Sequence, residues 1–251
     1  MIYGLYLSAA GLQANSLQMD ILANNLANAD TAGFKHEMAI VSERRVEAEE
    51  DGLMGSRHRL LDGLSGGTFL PRTYTMFEQG SLETTNRPLD VAILGEGFLQ
   101  VRDGERDLFT RDGRLAINVS GQLVTSTGKP VMGDDGQGIF ADLASGDPVS
   151  IGIDGAVQQG DTQLGRLALV AFEDNQVLIK VGGGMYEANG QVPFAASGHL
   201  DSGMIERSTV DALKGLAQMV QVGRAYQINA NLISLQDEML GRAVNDLGRV
   251  G

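Results

Sequence analysis

Apolar residues recur at helical spacing at both ends of the chain, while apolar and polar residues alternate in its middle. Near the N-terminus one apolar row repeats every seven residues, with a further leucine three residues from it. The members of this N-terminal stripe are Leu5, Leu12, Met19, Leu26 and Leu22. The pattern predicts a helix from about Leu5 to Asn28, stopped by Thr31 to Gly33, since glycine favours the left-handed turn after a helix.

The C-terminal end carries two apolar rows on one predicted helix, from Thr209 to Leu247. Ser208 and Asp211 have the spacing of a capping box at its start. One row steps by three and four residues and contains Ala225, Ile228, Leu232, Leu235 and Met239. The other repeats every seven residues and contains Tyr226, Ile233, Leu240 and Leu247. Two rows need more than one neighbour to cover them, so we predict that both terminal helices are assembly interfaces between copies of the chain.

The middle of the chain has the pattern of an all-β domain. From Thr73 to about Met185, short apolar runs are separated by turn pairs, and Asp-Gly between alternating runs is a strong hairpin signal. The pairs are Asp103-Gly104, Asp112-Gly113, Ser120-Gly121, Asp135-Gly136 and Asp154-Gly155. These hairpins predict an antiparallel barrel or sandwich. The strand pattern fades after Met185. Before the β region, residues 37–67 are charged and then glycine-rich, which predicts a linker or mobile loop.

Composition limits the possible partners and compartments. The chain has 251 residues, a formal net charge of −13 and no cysteine. The negative charge argues against binding nucleic acid or an anionic membrane surface. No stretch approaches the roughly 18 apolar residues of a transmembrane helix. The N-terminus also lacks the pattern of a cleaved signal peptide, so composition alone favours a cytoplasmic protein.

Few residues carry a signal for chemistry. Ser65 lies in a G-x-S-x-G pattern, but Pro71 soon after it opposes the helix that a nucleophile elbow requires. His36, His58 and His199 are far apart in sequence, which favours surface or structural roles. We expect no enzyme activity, cofactor, metal or small-molecule substrate. Two alternatives from other classes are a Ser65-dependent hydrolase and a carbohydrate-binding or adhesin β domain; the absence of Trp counts against the latter.

Three stretches, in order along the chain, resemble the flagellar rod and hook family. The first covers residues 23–35 and contains Asn24, Asn25, Leu26, Asn28, Thr31, Gly33 and Phe34. The second lies within residues 79–98, with residues 109–113 after it, and contains Pro88, Leu89, Asp90, Gly97 and Phe98. The third covers residues 219–229 and 237–240. The chain length and the Arg87 to Asp90 stretch are most similar to the proximal rod subunits, with the distal rod subunits as the alternative. The three asparagines either satisfy backbone groups at the helix end and between subunits or form a plain polar face.

The resemblance implies an architecture and a set of partners. The fold class would be α+β, with N- and C-terminal long helices paired as a coiled coil and a central all-β domain. The predicted parts are an assembly helix at 1–35, a linker at 36–72, the β domain at 73–185, a return linker at 186–207 and an assembly helix at 208–251. The resemblance further implies helical self-association in the periplasmic rod, contacts with neighbouring rod and hook-basal-body proteins, and passage through the flagellar export apparatus without signal cleavage. These implications override the cytoplasmic prediction.

Overall fold

The computed structural model describes residues 2–43 and 68–247, and it describes side chains within 4–40 and 73–245. The chain divides into two compact units. The helical unit comprises Met1–Leu26, Glu37–Tyr74 and Asp211–Gly251, and the β unit comprises Ala27–His36 and Thr75–Val210. The segment just after the first helix therefore belongs to the β unit.

Two long helices and one small sheet make up the described part of the helical unit. Helix α1 spans Ile2–Ala27, helix α2 spans Ala212–Leu247, and strands β1 (Glu37–Glu43) and β2 (Thr68–Thr75) form a two-stranded sheet. Residues 37–43 are therefore a strand, although the charged sequence predicted a linker or loop. Residues 38–41 form a short continuous apolar run, a weak strand signal within a charged segment.

Asp211 starts helix α2, which begins later than the predicted Thr209. Its carboxylate accepts hydrogen bonds from the backbone N–H groups of Leu213 and Lys214, both at 3.1 Å. These bonds, chiefly that from Lys214, lower the pKa of the Asp211 carboxyl. Ser208 instead accepts from the N–H of Val210 at 3.2 Å, so the N-cap is Asp211 and not Ser208.

The predicted coiled coil is wrong. A coiled coil needs a seam of apolar residues at alternate spacings of three and four on both helices. Where α1 and α2 approach, glycines of one helix face amide side chains of the other: a Cβ on Gly4 would lie 2.9 Å from Gln236 Nε2, and one on Gly11 would lie 2.9 Å from Asn229 Nδ2. Four members of the predicted apolar row of α2 are exposed: Ile228, Leu232, Leu235 and Met239.

The β unit contains fifteen short strands among its described residues, and every pairing between them is antiparallel. The strands are β3 (Leu82–Thr84), β4 (Val91–Leu94), β5 (Phe98–Asp103), β6 (Arg106–Thr110), β7 (Leu115–Ile117), β8 (Leu123–Thr125), β9 (Val149–Ile151), β10 (Ala156–Gln159), β11 (Thr162–Arg166), β12 (Leu169–Ala171), β13 (Ile179–Gly182), β14 (Met185–Glu187), β15 (Phe194–Ala195), β16 (His199–Ser202) and β17 (Met204–Glu206). A 3₁₀ turn spans Asn175–Val177.

The strands form one six-stranded sheet and several smaller ones. The large sheet has the order β13-β14-β6-β5-β12-β15, and β11-β10-β9 form a second sheet. The pairs β7–β8, β4–β16 and β3–β17 complete the unit. The β-rich middle is confirmed, but strands continue to Glu206, well past the predicted end near Met185. The last strands were missed because β16 and β17 pair with the distant strands β4 and β3, a long-range contact that local patterning does not signal.

Two buried apolar clusters form the core of the β unit. The larger is aliphatic and includes Val91, Ile93, Leu99, Val101, Leu108, Leu123, Val131, Val157, Leu167 and Leu200. The smaller contains Phe98, Phe109, Phe172, Leu178 and Tyr186, with Phe77 packed against it. Phe109 and Phe172 meet edge to face with ring centroids 4.8 Å apart, an arrangement that favours aromatic pairs.

The predicted turns have mixed outcomes. Asp103-Gly104 does connect the hairpin β5–β6, where Gly104 adopts φ 63°. Asp112-Gly113 does not form a hairpin, since β6 pairs with β5 and β14 while β7 pairs with β8. The glycine is required there for another reason: a Cβ on Gly113 would lie 1.7 Å from the carbonyl oxygen of Val91. Close approach of two backbones, and not turn geometry, explains that glycine.

Candidate assembly surface and the buried ion cluster

Helix α2 presents an apolar row to solvent. Ile228, Leu232, Leu235 and Met239 step by four, three and four residues, which places them on one face. Their side chains are 60%, 41%, 48% and 51% exposed, so nothing in the described chain covers this face. We call these four residues the exposed row. It is an apolar surface of the kind that marks a protein–protein contact.

The other predicted members of the α2 rows are less accessible. Ala225, Tyr226, Ile233 and Leu240 are half-buried, whereas the side chain of Leu247 lies outside the described residues. The row that repeats every seven residues is thus the better covered of the two. Exposed apolar residues also extend toward the start of the helix at Leu213, Leu216 and Val220, which the sequence analysis did not include.

The apolar stripe predicted on helix α1 is not the most buried part of the helix in the described chain. Leu5, Leu12, Met19, Leu22 and Leu26 are all only half-buried. The buried residues of α1 are Ser8, Ala14, Ile21 and Asn25. Three of these four side chains are small or polar, and a hydrophobic pattern gives them little weight. Ala14, Ile21 and Asn25 are spaced by seven and four residues and lie on one side of the helix, whereas Ser8 lies on the side of Leu5 and Leu12.

Asparagines near the end of α1 satisfy backbone and turn groups. The Asn25 side-chain amide donates to the carbonyl oxygen of Glu37 at 2.7 Å and accepts from the N–H of Glu37 at 2.9 Å. Asn28 accepts a hydrogen bond from the Thr31 hydroxyl at 3.2 Å. For Asn25, satisfaction of the backbone is therefore the correct alternative, while Asn24 is exposed.

The motif residues after α1 are held by the strand segment that precedes α2, entirely within the β unit. Gly33 N–H donates to the carbonyl oxygen of Glu206 at 2.8 Å, and Thr209 N–H donates to that of Phe34 at 3.1 Å. His36 N–H donates to the Thr209 hydroxyl oxygen at 3.0 Å. These bonds fix residues 33–36 beside residues 206–209, so the two segments that lead to the terminal helices are held together.

Gly33 is required by its conformation and by its surroundings. Its φ is 68°, in the left-handed region that the sequence predicted for this position. A Cβ there would lie 2.3 Å from the backbone carbonyl of Arg111. Gly33 lies beyond the end of α1 at Ala27, so it shapes the segment after the helix and does not cap the helix.

Glu206 is the centre of a buried ion cluster. Lys35 Nζ donates to its Oε1 at 2.5 Å, and Arg111 Nη1 donates to its Oε2 at 3.3 Å. The Gly80 N–H donates to Oε1 at 2.6 Å. The side chains of Lys35 and Glu206 have no exposed surface, and that of Arg111 is 5% exposed. We call Lys35, Arg111 and Glu206 the buried ion cluster.

The two cations of the cluster have further contacts, although Arg111 Nε is buried without a hydrogen-bond partner among the described residues. Lys35 Nζ also donates to the carbonyl oxygen of Glu78, and Arg111 Nη2 donates to that of Gly95 at 2.7 Å. The Arg111 guanidinium lies 5.4 Å from the centre of the Phe98 ring. Burial lowers the pKa of the Lys35 ammonium, and the Glu206 carboxylate opposes this shift. Removing one partner would leave buried charge uncompensated.

No sequence pattern assigned a role to Lys35, Arg111 or Glu206. Glu206 is one glutamate at the end of a short strand, and no local spacing distinguishes it from a solvated residue. The signal is the pairing of β17 with β3, which brings Glu206 beside Leu82 and next to the segment that contains Gly80. Such long-range proximity cannot be read from one sequence.

The residues of the central motif stretch are also placed by contacts within the β unit. Asp90 is buried and accepts from Arg87 Nε at 2.8 Å, while its carbonyl oxygen accepts from the N–H of Gly203. Leu89 packs against the aliphatic core, and Pro88 is exposed. Gly97 immediately precedes β5 and has a φ of 142°, and Phe98, the first residue of β5, belongs to the aromatic cluster.

Residues proposed for other chemistry are not brought together. Ser65 and His58 lie outside the described residues. His199 is exposed on β16, and His36 contacts Thr209. Among residues 2–43 and 68–247, no cluster of three or more acidic or histidine side chains could hold a metal ion. Neither described helix combines the length and apolar content needed to cross a membrane.

Family models match three parts of the chain. Residues 5–35 match the flagella basal body rod protein model, and residues 92–159 match the flagellar hook protein FlgE/F/G D1 domain. Residues 201–247 match the flagellar basal body rod FlgEFG protein C-terminal model. The matches therefore cover α1 with its following motif, part of the β unit, and the segment from β16 to the end of α2.

Curated relatives match along nearly the whole chain. The flagellar basal-body rod protein FlgF of Caulobacter vibrioides is 34% identical, with 93% of each chain covered. FlgG of Buchnera aphidicola subsp. Acyrthosiphon pisum is 35% identical, covering 96% of this chain and 98% of the relative. FlgG of Bacillus subtilis is 29% identical over 98% and 99% of the two chains. The chain belongs to the flagellar basal-body rod protein family and is a structural subunit of the bacterial flagellar rod.

Proposed function

We propose that copies of this chain polymerise helically by covering the exposed row of α2, and that the resulting rod transmits torque. The observation that carries the proposal is the row itself, four apolar side chains of which each is more than 40% exposed. Burying each such side chain stabilises a contact by up to about 1.5 to 3 kcal/mol. A single copy offers no such cover in its described residues, so the gain becomes available when a neighbouring copy packs there.

The remaining predicted interface residues extend this surface. We propose that the N-terminal stripe and the row containing Tyr226, Ile233 and Leu240 make further contacts with neighbouring copies, and that residues 1–35 and 208–251 form the assembly part. The β domain at 73–185 and the linkers at 36–72 and 186–207 would then lie outside that assembly part. Contacts with adjacent rod and hook-basal-body proteins use the same terminal regions.

An aspartate substitution on the exposed row tests the proposal. Leu232→Asp places a carboxylate where a neighbour must pack, and burying an unpaired carboxylate is costly. We expect loss of incorporation into the rod and loss of swimming, with an unchanged β unit. Val119→Asp is the matched control, because Val119 is 97% exposed in a loop of the β unit and the charge change is the same. Normal rods from Leu232→Asp would contradict the proposal.

We further propose the proximal position in the rod, passage through the flagellar export apparatus without signal cleavage, and a function without catalysis. The Arg87 to Asp90 stretch supports the proximal position; relatives named FlgF and FlgG both match, so the distal position is the second candidate. Expression in strains that lack one or the other rod subunit separates the two. Restored swimming in the proximal mutant alone supports the proximal position, and restoration in the distal mutant alone contradicts it.

A further inference from the structure

Two glycines of α1 each face an amide side chain of α2. A Cβ on Gly4 would lie 2.9 Å from Gln236 Nε2, and a Cβ on Gly11 would lie 2.9 Å from Asn229 Nδ2. Real Cβ atoms are essentially never this close to another heavy atom, so a Cβ at either position would force the amide end of the facing side chain to move. The two amides therefore occupy space that any other residue of α1 would fill with its own side chain. We call these two contacts the glycine–amide notches.

The spacing of the notches specifies one antiparallel alignment. Gly4 and Gly11 are seven residues apart on α1, and Asn229 and Gln236 are seven residues apart on α2 in the opposite order. Residues seven apart lie on one helical face, so both notches are on the same line of contact. A slip of one helical turn would place an amide opposite Leu7 or Ser8, each of which has a Cβ. One alignment alone fills both notches.

Glycine destabilises a helix interior relative to alanine, so Gly4 and Gly11 should have a structural reason for their positions in α1. The glycines of α2 provide the contrast: a Cβ on Gly215, Gly223 or Gly241 would have nothing within 4 Å. Close approach of the helices occurs instead at Gly4 and Gly11 of α1, where the facing amide occupies the space that a side chain would take.

We propose that Gln236 and Asn229 are the positioning residues that set the alignment of α1 and α2. Apolar side chains tolerate sliding, because many alignments bury similar area, whereas a polar side chain at a helix contact selects one alignment at some cost in stability. Gln236 illustrates that cost, since its Oε1 is buried without a hydrogen-bond partner among the described residues. The proposal concerns pairing within one copy and does not depend on how copies assemble.

Exchanging the two members of a notch tests the proposal. Gly11→Asn puts two amides in one layer, and Asn229→Gly leaves a gap, so each single variant should lower the helix content of the full-length monomer measured by circular dichroism. The double variant Gly11→Asn with Asn229→Gly restores one amide and one glycine, and we expect most of the loss to be recovered. Gly223→Asn is the control, because a side chain there meets open space. Additive losses in the double variant would overturn the proposal.

Cross-linking gives a second test that is independent of stability. The chain has no cysteine, so introduced thiols report only on the chosen positions. Gly11→Cys with Asn229→Cys should be joined within one copy by a short bis-thiol reagent. Gly11→Cys with Gln236→Cys, two turns out of alignment, should not be joined. Equal cross-linking of both pairs would show that the helices slide and would overturn the proposal.

Discussion

The β unit buries two apolar clusters, whereas no described side chain of α2 between residues 212 and 245 is buried. The β unit also buries three charged side chains, which form hydrogen bonds with each other and with backbone carbonyls. Helix α2 instead leaves apolar side chains in water. The difference indicates that the β unit carries its own stability, while the helices depend on additional contacts.

The largest expected effect on stability comes from removing the carboxylate of the buried ion cluster. Glu206→Ala leaves Lys35 and Arg111 buried without their counterion, and breaking such a pair typically costs about 3 to 5 kcal/mol. Denaturant unfolding followed by circular dichroism measures the change. The control is Glu83→Ala, whose exposed carboxylate lies 3.5 Å from Arg207 and whose loss should cost about 0 to 1 kcal/mol. Similar costs for the two variants would contradict the role of the cluster.

A matched pair of leucines compares the two units directly. Leu99→Ala removes a completely buried side chain from the β core and should cost about 2 to 5 kcal/mol. Leu235→Ala removes the same atoms from the exposed row and should change monomer stability by about 0.5 kcal/mol or less. Thermal and denaturant unfolding of the monomers measure both. An equally large loss for Leu235→Ala would mean that α2 is packed in the free chain.

The pH dependence of stability tests the electrostatics of Lys35. Its pKa in the folded chain is below the ordinary value of 10.5, so between these two values the unfolded chain binds more protons. The Lys35 contribution to the free energy of unfolding therefore rises with pH through this window and is constant below it. Wild-type stability should increase relative to Lys35→Met as pH approaches 10.5. A relative decrease would show that the pairing with Glu206 outweighs burial.

The smallest expected effects are those of substituting Ser65 and two histidines, which were considered as candidates for catalysis. Ser65→Ala, His58→Ala and His199→Ala should each leave rod formation and swimming unchanged, because the proposed function uses none of them. Swimming speed and electron microscopy of isolated basal bodies measure the outcome. A folded Ser65→Ala subunit that fails in the rod would restore the hydrolase alternative.

Sequence patterns predicted this fold unevenly. The terminal helices were predictable because their periodicity is local, and the hairpin at Gly104 was predictable because its turn residues are adjacent. The contact face of α1 was not, since Gly4, Ser8 and Gly11 give no hydrophobic signal. Glu206 was not predictable either, because its partners come from distant segments. Local sequence patterns thus predicted the helices and a hairpin, whereas contacts between distant segments determine which residues are buried.

Hydrogen exchange tests the contrast between the units most directly, with the dilute monomer compared with the assembled rod. We predict slow exchange in the monomer for the β core and for the hydrogen-bonded amides of residues 33–36, which belong to the β unit and are bonded to residues 206–209. Helix α2, Ala212–Leu247, should exchange fast in the monomer and become protected in the rod. Strong protection of α2 in a confirmed monomer would contradict the account.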